Sequence, residues 1–200
     1  MDCARQHFAQ LAPAASATDM QLAEAYRKRG DEFWNKREFA RAIAEFDSAI
    51  QLDPRNAETY YWRGCCYNWL NNEDLALADF TRAIGLNANE AKYWRQRGVT
   101  YNRNKDYDRA IADQSRAIEL DPKNSDFYLE RGKSYNEKKD YDHAIADKSR
   151  AIELDPKNAQ YYYSRGNSYS WKNQRVLQKA DYQKAADLGH AEAREALKKL

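Results

Sequence analysis

The sequence predicts an all-α protein, one elongated array of helix pairs repeating every 34 residues. Three observations carry this. The stretch 106–124, DYDRAIADQSRAIELDPKN, returns at 140–158 as DYDHAIADKSRAIELDPKN, with only Arg109/His143 and Gln114/Lys148 exchanged. A fixed period of that length marks a repeat architecture. Counted from Ala23, the same frame divides 19–192 into five repeats, 23–56, 57–90, 91–124, 125–158 and 159–192. Each repeat holds two segments with helical spacing of small and aromatic residues, separated by short polar turns.

Residues 1–18 stand outside the frame. Phe8 and Leu11 suit one short amphipathic turn, and Pro13 with the Ala/Ser run after it reads as a linker. Thr18, followed three residues later by Gln21, reads as a capping box that starts the first long helix. In the first helix of each repeat, slot eight is Gly30, Gly64, Gly98, Gly132 and Gly166. Glycine inside a helix costs up to about 1 kcal/mol against alanine, so five in register imply a shared need for close helix approach. Slot four (Tyr26, Tyr60, Trp94, Tyr128, Tyr162) and slot eleven (Phe33, Tyr67, Tyr101, Tyr135, Tyr169) share that face and are expected in the buried stripe. In the second helix, slot twenty (Ala42, Ala76, Ala110, Ala144) and slot twenty-seven (Ala49, Ala83, Ala117, Ala151, Ala185) are small enough for the pair to lie close. Pro54, Pro122 and Pro156 stop second helices, and Asn56, Asn124 and Asn158 stand where they can cap the next first helix.

One pair of columns needs its own explanation. Slot seven is Arg29, Arg63, Arg97, Arg131 and Arg165, and slot twenty-three is Glu45, Asp79, Asp113, Asp147 and Asp181. A partly desolvated arginine needs a partner, and losing one member of a buried pair costs about 3–5 kcal/mol. Matched phase therefore predicts a ladder of helix-to-helix ion pairs, with a basic binding stripe as the alternative.

Glycine in slot eight, an aromatic in eleven, alanine in twenty and twenty-seven and proline in thirty-two resemble the tetratricopeptide repeat, from Ala23 to about Glu192. The resemblance implies an α-solenoid of antiparallel helix pairs in a right-handed superhelix, with first helices lining the concave side. Ala88 replaces the proline of the second repeat, and Gln178 replaces an alanine of the fifth, which reads as a worn terminal repeat. Residues 190–200 read as an amphipathic helix capping the open end.

Composition narrows the function. Hydrophobic content of 42% with 32% charged residues fits a folded soluble protein. No apolar run approaches the roughly 20 residues that span a bilayer, so membrane insertion is not expected. The formal net charge of +2 gives no general pull toward nucleic acid. Three cysteines, two of them adjacent, make no disulfide framework. With no signal peptide read at the N-terminus, a cytoplasmic protein is expected; a leader removed ahead of residue 1 is the open alternative. No catalytic residue, cofactor site or metal site is read. His7, His143 and His190 fall in separate segments and read as solvated, and no HExxH, CxxC pair, glycine-rich phosphate loop or GxSxG is present.

Removing the scaffold columns leaves the other face of the first helices, which the resemblance places in the groove. Trp34, Tyr61, Trp69, Tyr163 and Trp171 are aromatics that the packing pattern does not require. They read either as binding hot spots or as rings buried between neighbouring helices. Asn68, Asn102 and Asn136 recur in slot twelve, where amides could hold the backbone of an extended peptide or simply be solvated at a helix end. Lys92, Arg95 and Arg103 make a basic patch that would favour an acidic ligand side chain, or else a scattered solvated set. Cys65 is read on the groove side and Cys66 on the packing side. The clamp by which some family members hold the acidic tails of heat-shock chaperones would need Lys and Asn at Arg27, Asp31 and Trp62, and Lys and Arg at Lys92 and Gln96. Only Lys92 matches.

These residues predict a non-enzymatic module that binds a peptide or helix of a protein partner in its groove. The alternative is a scaffold or assembly subunit that stacks or self-associates through its ends. Base-reading RNA repeats require coding polar pairs in every repeat, and these positions vary. Partner identity and oligomeric state are not specified by the sequence.

Overall fold

The computed structural model describes residues 16–200. These form eleven α-helices and no strand: α1 (Ala17–Asn35), α2 (Phe39–Leu52), α3 (Ala57–Trp69), α4 (Glu73–Leu86), α5 (Ala91–Arg103), α6 (Tyr107–Leu120), α7 (Ser125–Glu137), α8 (Tyr141–Leu154), α9 (Ala159–Trp171), α10 (Arg175–Asp187) and α11 (Ala191–Leu197). The chain divides into two compact units after Thr100. Phe8, Leu11 and Pro13 of the expected tail lie outside the described residues. The expected capping box moves: Ser16, not Thr18, caps α1, its Oγ accepting from the Asp19 amide at 3.1 Å while its own amide donates to the Asp19 carboxylate. A serine with an acid three residues on satisfies the same two donors, and the helix starts earlier as a result.

Contacts fix how the helices run. Arg29 reaches Glu45, and Arg41 lies over the Phe33 ring, so sequence positions converge toward the turn and α1 and α2 are antiparallel. Between repeats the offset is constant instead: Glu58 bonds Lys92 and Tyr93, and Asp126 accepts from Tyr161. Neighbouring first helices within each unit are therefore parallel. The worn fifth repeat still forms its pair, and α11 closes it by burying Ala193 against Tyr182, Ala185 and Ala186.

The predicted close approach is real, and slot twenty-four is what approaches. A Cβ on Gly30 would stand 2.4 Å from Phe46 Cε1, one on Gly64 2.8 Å from Phe80 Cε1, and one on Gly166 2.6 Å from the Tyr182 ring. Ala42, Ala76, Ala110 and Ala144 are fully buried, as are Ala83, Ala117, Ala151 and Ala185. The slot-four and slot-eleven aromatics are only half-buried apart from Tyr60, which corrects the expected stripe. Their outer faces carry the guanidinium groups of slot seven: Arg29 over Tyr26, Arg63 over Tyr60 and Tyr67, Arg165 over Tyr162 and Tyr169.

The ion-pair ladder is present. Arg63, Arg131 and Arg165 each donate through Nε and Nη2 to both oxygens of Asp79, Asp147 and Asp181, at 2.7–2.8 Å, and Arg29 bonds Glu45 at 2.8 Å. The third nitrogen ties back to the preceding repeat: Arg63 to Asp47, Arg97 to Thr81, Arg131 to Ser115 and Arg165 to Ser149. Each of these arginines thus serves a second helix, its own or the preceding one, rather than a ligand. The asparagine caps form as expected, Asn56, Asn124 and Asn158 accepting from Thr59, Asp126 and Gln160.

Two glycine substitutions separate packing from propensity. Gly30→Ala is expected to lower stability by about 1–3 kcal/mol, because the added methyl meets a packed ring. Gly85→Ala, in α4 with open space around it, is expected to gain about 0.5–1 kcal/mol. Urea midpoints of the two variants moving in the same direction would contradict this account.

Candidate functional site: the first-helix face

Of the side chains expected to bind, Trp34, Tyr61, Asn68, Trp69, Lys92 and Arg95 lie in the first compact unit, on α1, α3 and α5. Trp34 packs edge-on against Phe39 and Trp62, with ring centroids 5.2 and 5.4 Å apart. Trp62 meets Tyr61 at 5.1 Å, and Tyr61 meets Tyr93 at 5.2 Å. At the other end Phe39 stacks on Trp69 with planes 10° apart. The result is one continuous row: Trp69, Phe39, Trp34, Trp62, Tyr61, Tyr93. Trp34 and Tyr61 are half-buried, whereas Trp69 is 57% exposed. Phe39, Trp62 and Tyr93 were not singled out from the sequence. Two of them were findable, since Tyr107 and Tyr141 recur in the slot of Phe39, and Phe127 and Tyr161 in that of Tyr93. Trp62 has no aromatic equivalent in the other repeats.

The charges on this face are mostly paired. Arg27 bonds both oxygens of Glu24 at 2.8 Å and Asp31 at 3.0 Å. Glu58 accepts from Lys92, from the Tyr93 hydroxyl and from Trp62 Nε1. Burial by itself would raise the Glu58 carboxyl, yet the donors from Lys92, Tyr93 and Trp62 hold it below the usual range. Burial raises Asp31 despite Arg27. Arg95 is different: its Nε is buried with no hydrogen-bond partner among the described residues. Arg103, at the end of α5 in the second unit, is exposed.

Several expected site residues belong to the scaffold instead. Asn68 is 3% exposed, and its amide donates to Thr100 Oγ1 at 2.8 Å. In the second unit Asn102 donates to Ser134 Oγ at 3.0 Å, and buried Asn136 accepts from Ser168 Oγ at 3.1 Å. These amides link neighbouring first helices, so they are not an open rail for a peptide backbone. Slot twelve faces the hydroxyl of slot ten in the next repeat, a pairing visible only once the offset between repeats is known. Cys65, read on the groove side, is buried with Cys66, and burial pushes both thiols up to about 12. Neither is poised as a thiolate. Tyr163 is covered by the His190 ring, stacked at 4.4 Å. His190 is not the solvated side chain expected of it, since Nδ1 accepts from the Ala193 amide and Nε2 bonds Gln160. Trp171 remains open, 51% exposed and stacked on Tyr141.

Models of the tetratricopeptide repeat match residues 27–73, 57–90 and 91–124, and a model of the TPR repeat matches 132–170. Together they take in more than half of the 200 residues. The chain belongs to the tetratricopeptide repeat family. A crystal structure of MamA is similar at 25% identity and a TM-score of 0.75, covering 82% of this chain and 96% of that one. A crystal structure of YrrB, a TPR protein with an unusual peptide-binding site, shares 25% identity at a TM-score of 0.73, covering 88% and 91%. PilF of Pseudomonas aeruginosa, at 16% identity, a TM-score of 0.76 and coverage of 86% and 78%, shows the shared fold. No curated protein sequence matches the chain. Among the described residues no helix is long and apolar enough to cross a membrane, and no three His, Cys, Asp or Glu side chains are placed to hold a metal ion.

The repeats of this tetratricopeptide array differ from one another at slot twenty-four. Repeats one, two and five place Phe46, Phe80 and Tyr182 against the glycine, but the third and fourth place Gln114 and Lys148 in the core. Lys148 is 0% exposed, its chain lying on Gly132 and its Nζ donating to Ser168 Oγ at 2.7 Å and the Ser164 carbonyl at 3.2 Å. Both acceptors are neutral, and Asp147 next to it is engaged by Arg131. Burial, reinforced by the charge of Lys133, lowers the Lys148 ammonium from its ordinary 10.5 to about 7. Between those two values the unfolded chain holds a proton that the folded chain has released. Stability should therefore climb as pH rises from about 7 to about 10.5, by at most about 1.4 kcal/mol per pH unit. Below about pH 7 the penalty is constant. Lys148→Met is expected to abolish this climb and raise the urea midpoint at pH 7; parallel pH profiles for variant and parent would refute it.

Proposed function

We propose that the protein is a non-enzymatic interaction module that holds a peptide or helix of a partner protein on the first-helix face of its first compact unit. The observation that carries this reading is the aromatic row ending at exposed Trp69. The fold's own packing is met by the glycine and alanine columns, and large exposed aromatics over a supporting ring are what binding hot spots are made of. The similar YrrB, as a TPR protein with a peptide-binding site, supports the same reading. Tyr61 supports the row from within, packing on Phe80 and Tyr93, so its truncation mixes binding with stability. Trp69 is the cleaner probe. With the chain as bait, Trp69→Ala is expected to weaken partner capture by about 30-fold while the helical circular dichroism stays unchanged. Undiminished capture by the variant would remove this face from consideration.

A second reading, self-association, has one observation in its favour. Val176 and Leu177, at the start of α10, are exposed on the fifth repeat. Against end-to-end stacking, α11 already covers that repeat's core. Light scattering is expected to report a monomer at high concentration; a concentration-dependent dimer abolished by Val176→Asp would favour assembly.

A further inference from the structure

We infer that the first-helix face of the first unit recognises a single carboxylate on its peptide ligand, and that Arg95 is the group that receives it. The inference rests on the reading of that face as a peptide site. Besides Arg37, whose guanidinium lies over the Trp69 ring, this face carries Arg27, Lys92 and Arg95, and two of these three are already engaged. Arg27 sits between Glu24 and Asp31, and Lys92 is bound to Glu58. Glu58 itself already accepts from Trp62, Lys92 and Tyr93. Arg95 alone of the three has no carboxylate partner among the described residues, and its buried Nε has no acceptor.

A guanidinium cannot shed its charge, and although the buried Nε lies out of a ligand's reach, the Nη groups of an arginine with no carboxylate of its own are what a ligand oxygen would meet. A carboxylate matches the planar fork with two parallel hydrogen bonds, which a carbonyl cannot do. The surroundings define the rest of the ligand. Arg95 acts electrostatically on the Tyr61 hydroxyl, and Lys92 Nζ lies 5.2 Å from the centre of the Tyr61 ring. A side chain docked on Arg95 would therefore have the Tyr61, Trp62 and Trp34 rings beside it, a lining for apolar neighbours in the ligand. Glu24 and Asp31 carry negative charge on the same face and would repel a strongly acidic tail. One acid among apolar residues fits; a polyanion does not. This is also not the chaperone-tail clamp, because Lys92 is occupied and Asp31 has the wrong sign.

The test is selection of peptides from a random 12-residue display library on the full chain. Selected sequences are expected to share one Asp or Glu next to aromatic or aliphatic residues. A synthetic selected peptide with that acid changed to its amide should bind the wild-type protein about 30-fold or more weakly. Arg95→Gln should erase that difference between the acid and amide peptides. If the Arg95 variant does not fold, the comparison of the two peptides on the wild type still decides. Peptides that bind equally as acid and amide, with binding lost in Trp69→Ala, would overturn the role of Arg95 and leave the peptide site standing. No peptide selected at all would overturn both.

Discussion

Everything in this molecule depends on how closely the two helices of a repeat can approach at one point. The backbone of the first helix is bare there, at glycine, and a side chain of the second helix occupies the space a Cβ would need. Once that contact is made, the alanines flanking it are buried and the slot-seven arginine is brought within bonding distance of its acid. The ion pair does not create the approach; it follows from it. A partly buried pair is weak evidence of net stabilisation but strong evidence of register, because only one alignment of the helices satisfies both carboxylate oxygens.

The scaffold was legible in the sequence because it repeats. Five glycines, two alanine columns and two charge columns in phase leave little freedom in how Ala42 or Arg63 can be placed. The core residue opposite the glycine escaped notice because it does not repeat: Phe46, Gln114 and Lys148 share a location but no chemistry. The asparagines at 68, 102 and 136 misled for the opposite reason. They repeat, as scaffold residues do, yet their polarity suggested a ligand-facing rail; their partners lie on the next repeat, about a period away. That Trp69 stands outside the packing could be read in advance, because nothing in the pattern called for an aromatic there. The pairing state of Arg27, Lys92 and Arg95 could not, since it depends on which acid each side chain reaches across helices.

The two compact units have different interiors. In the first, slot twenty-four is phenylalanine twice and the first-helix face carries the aromatic row. In the second, Gln114 and Lys148 enter the core, joined through Ser134 and Ser168 to Asn102 and Asn136. A buried polar network of this kind fixes one arrangement through its bonds and loosens where a member changes its charge. The repeats that look most alike in sequence are thus the ones whose cores are least ordinary.

The arginine with three bonded nitrogens has a further consequence for the history of the chain. Because Arg131 and Arg165 grip the second helix of their own repeat and the one before it through the same offsets of 16 residues, any repeat carrying this set can follow any other. Excising or duplicating a segment of one period would rejoin the ladder without a mismatched rung. Residues 106–124 and 140–158, differing at two positions, look like the trace of such an event. What distinguishes one such copy from the next is the side chain that fills the space above its glycine.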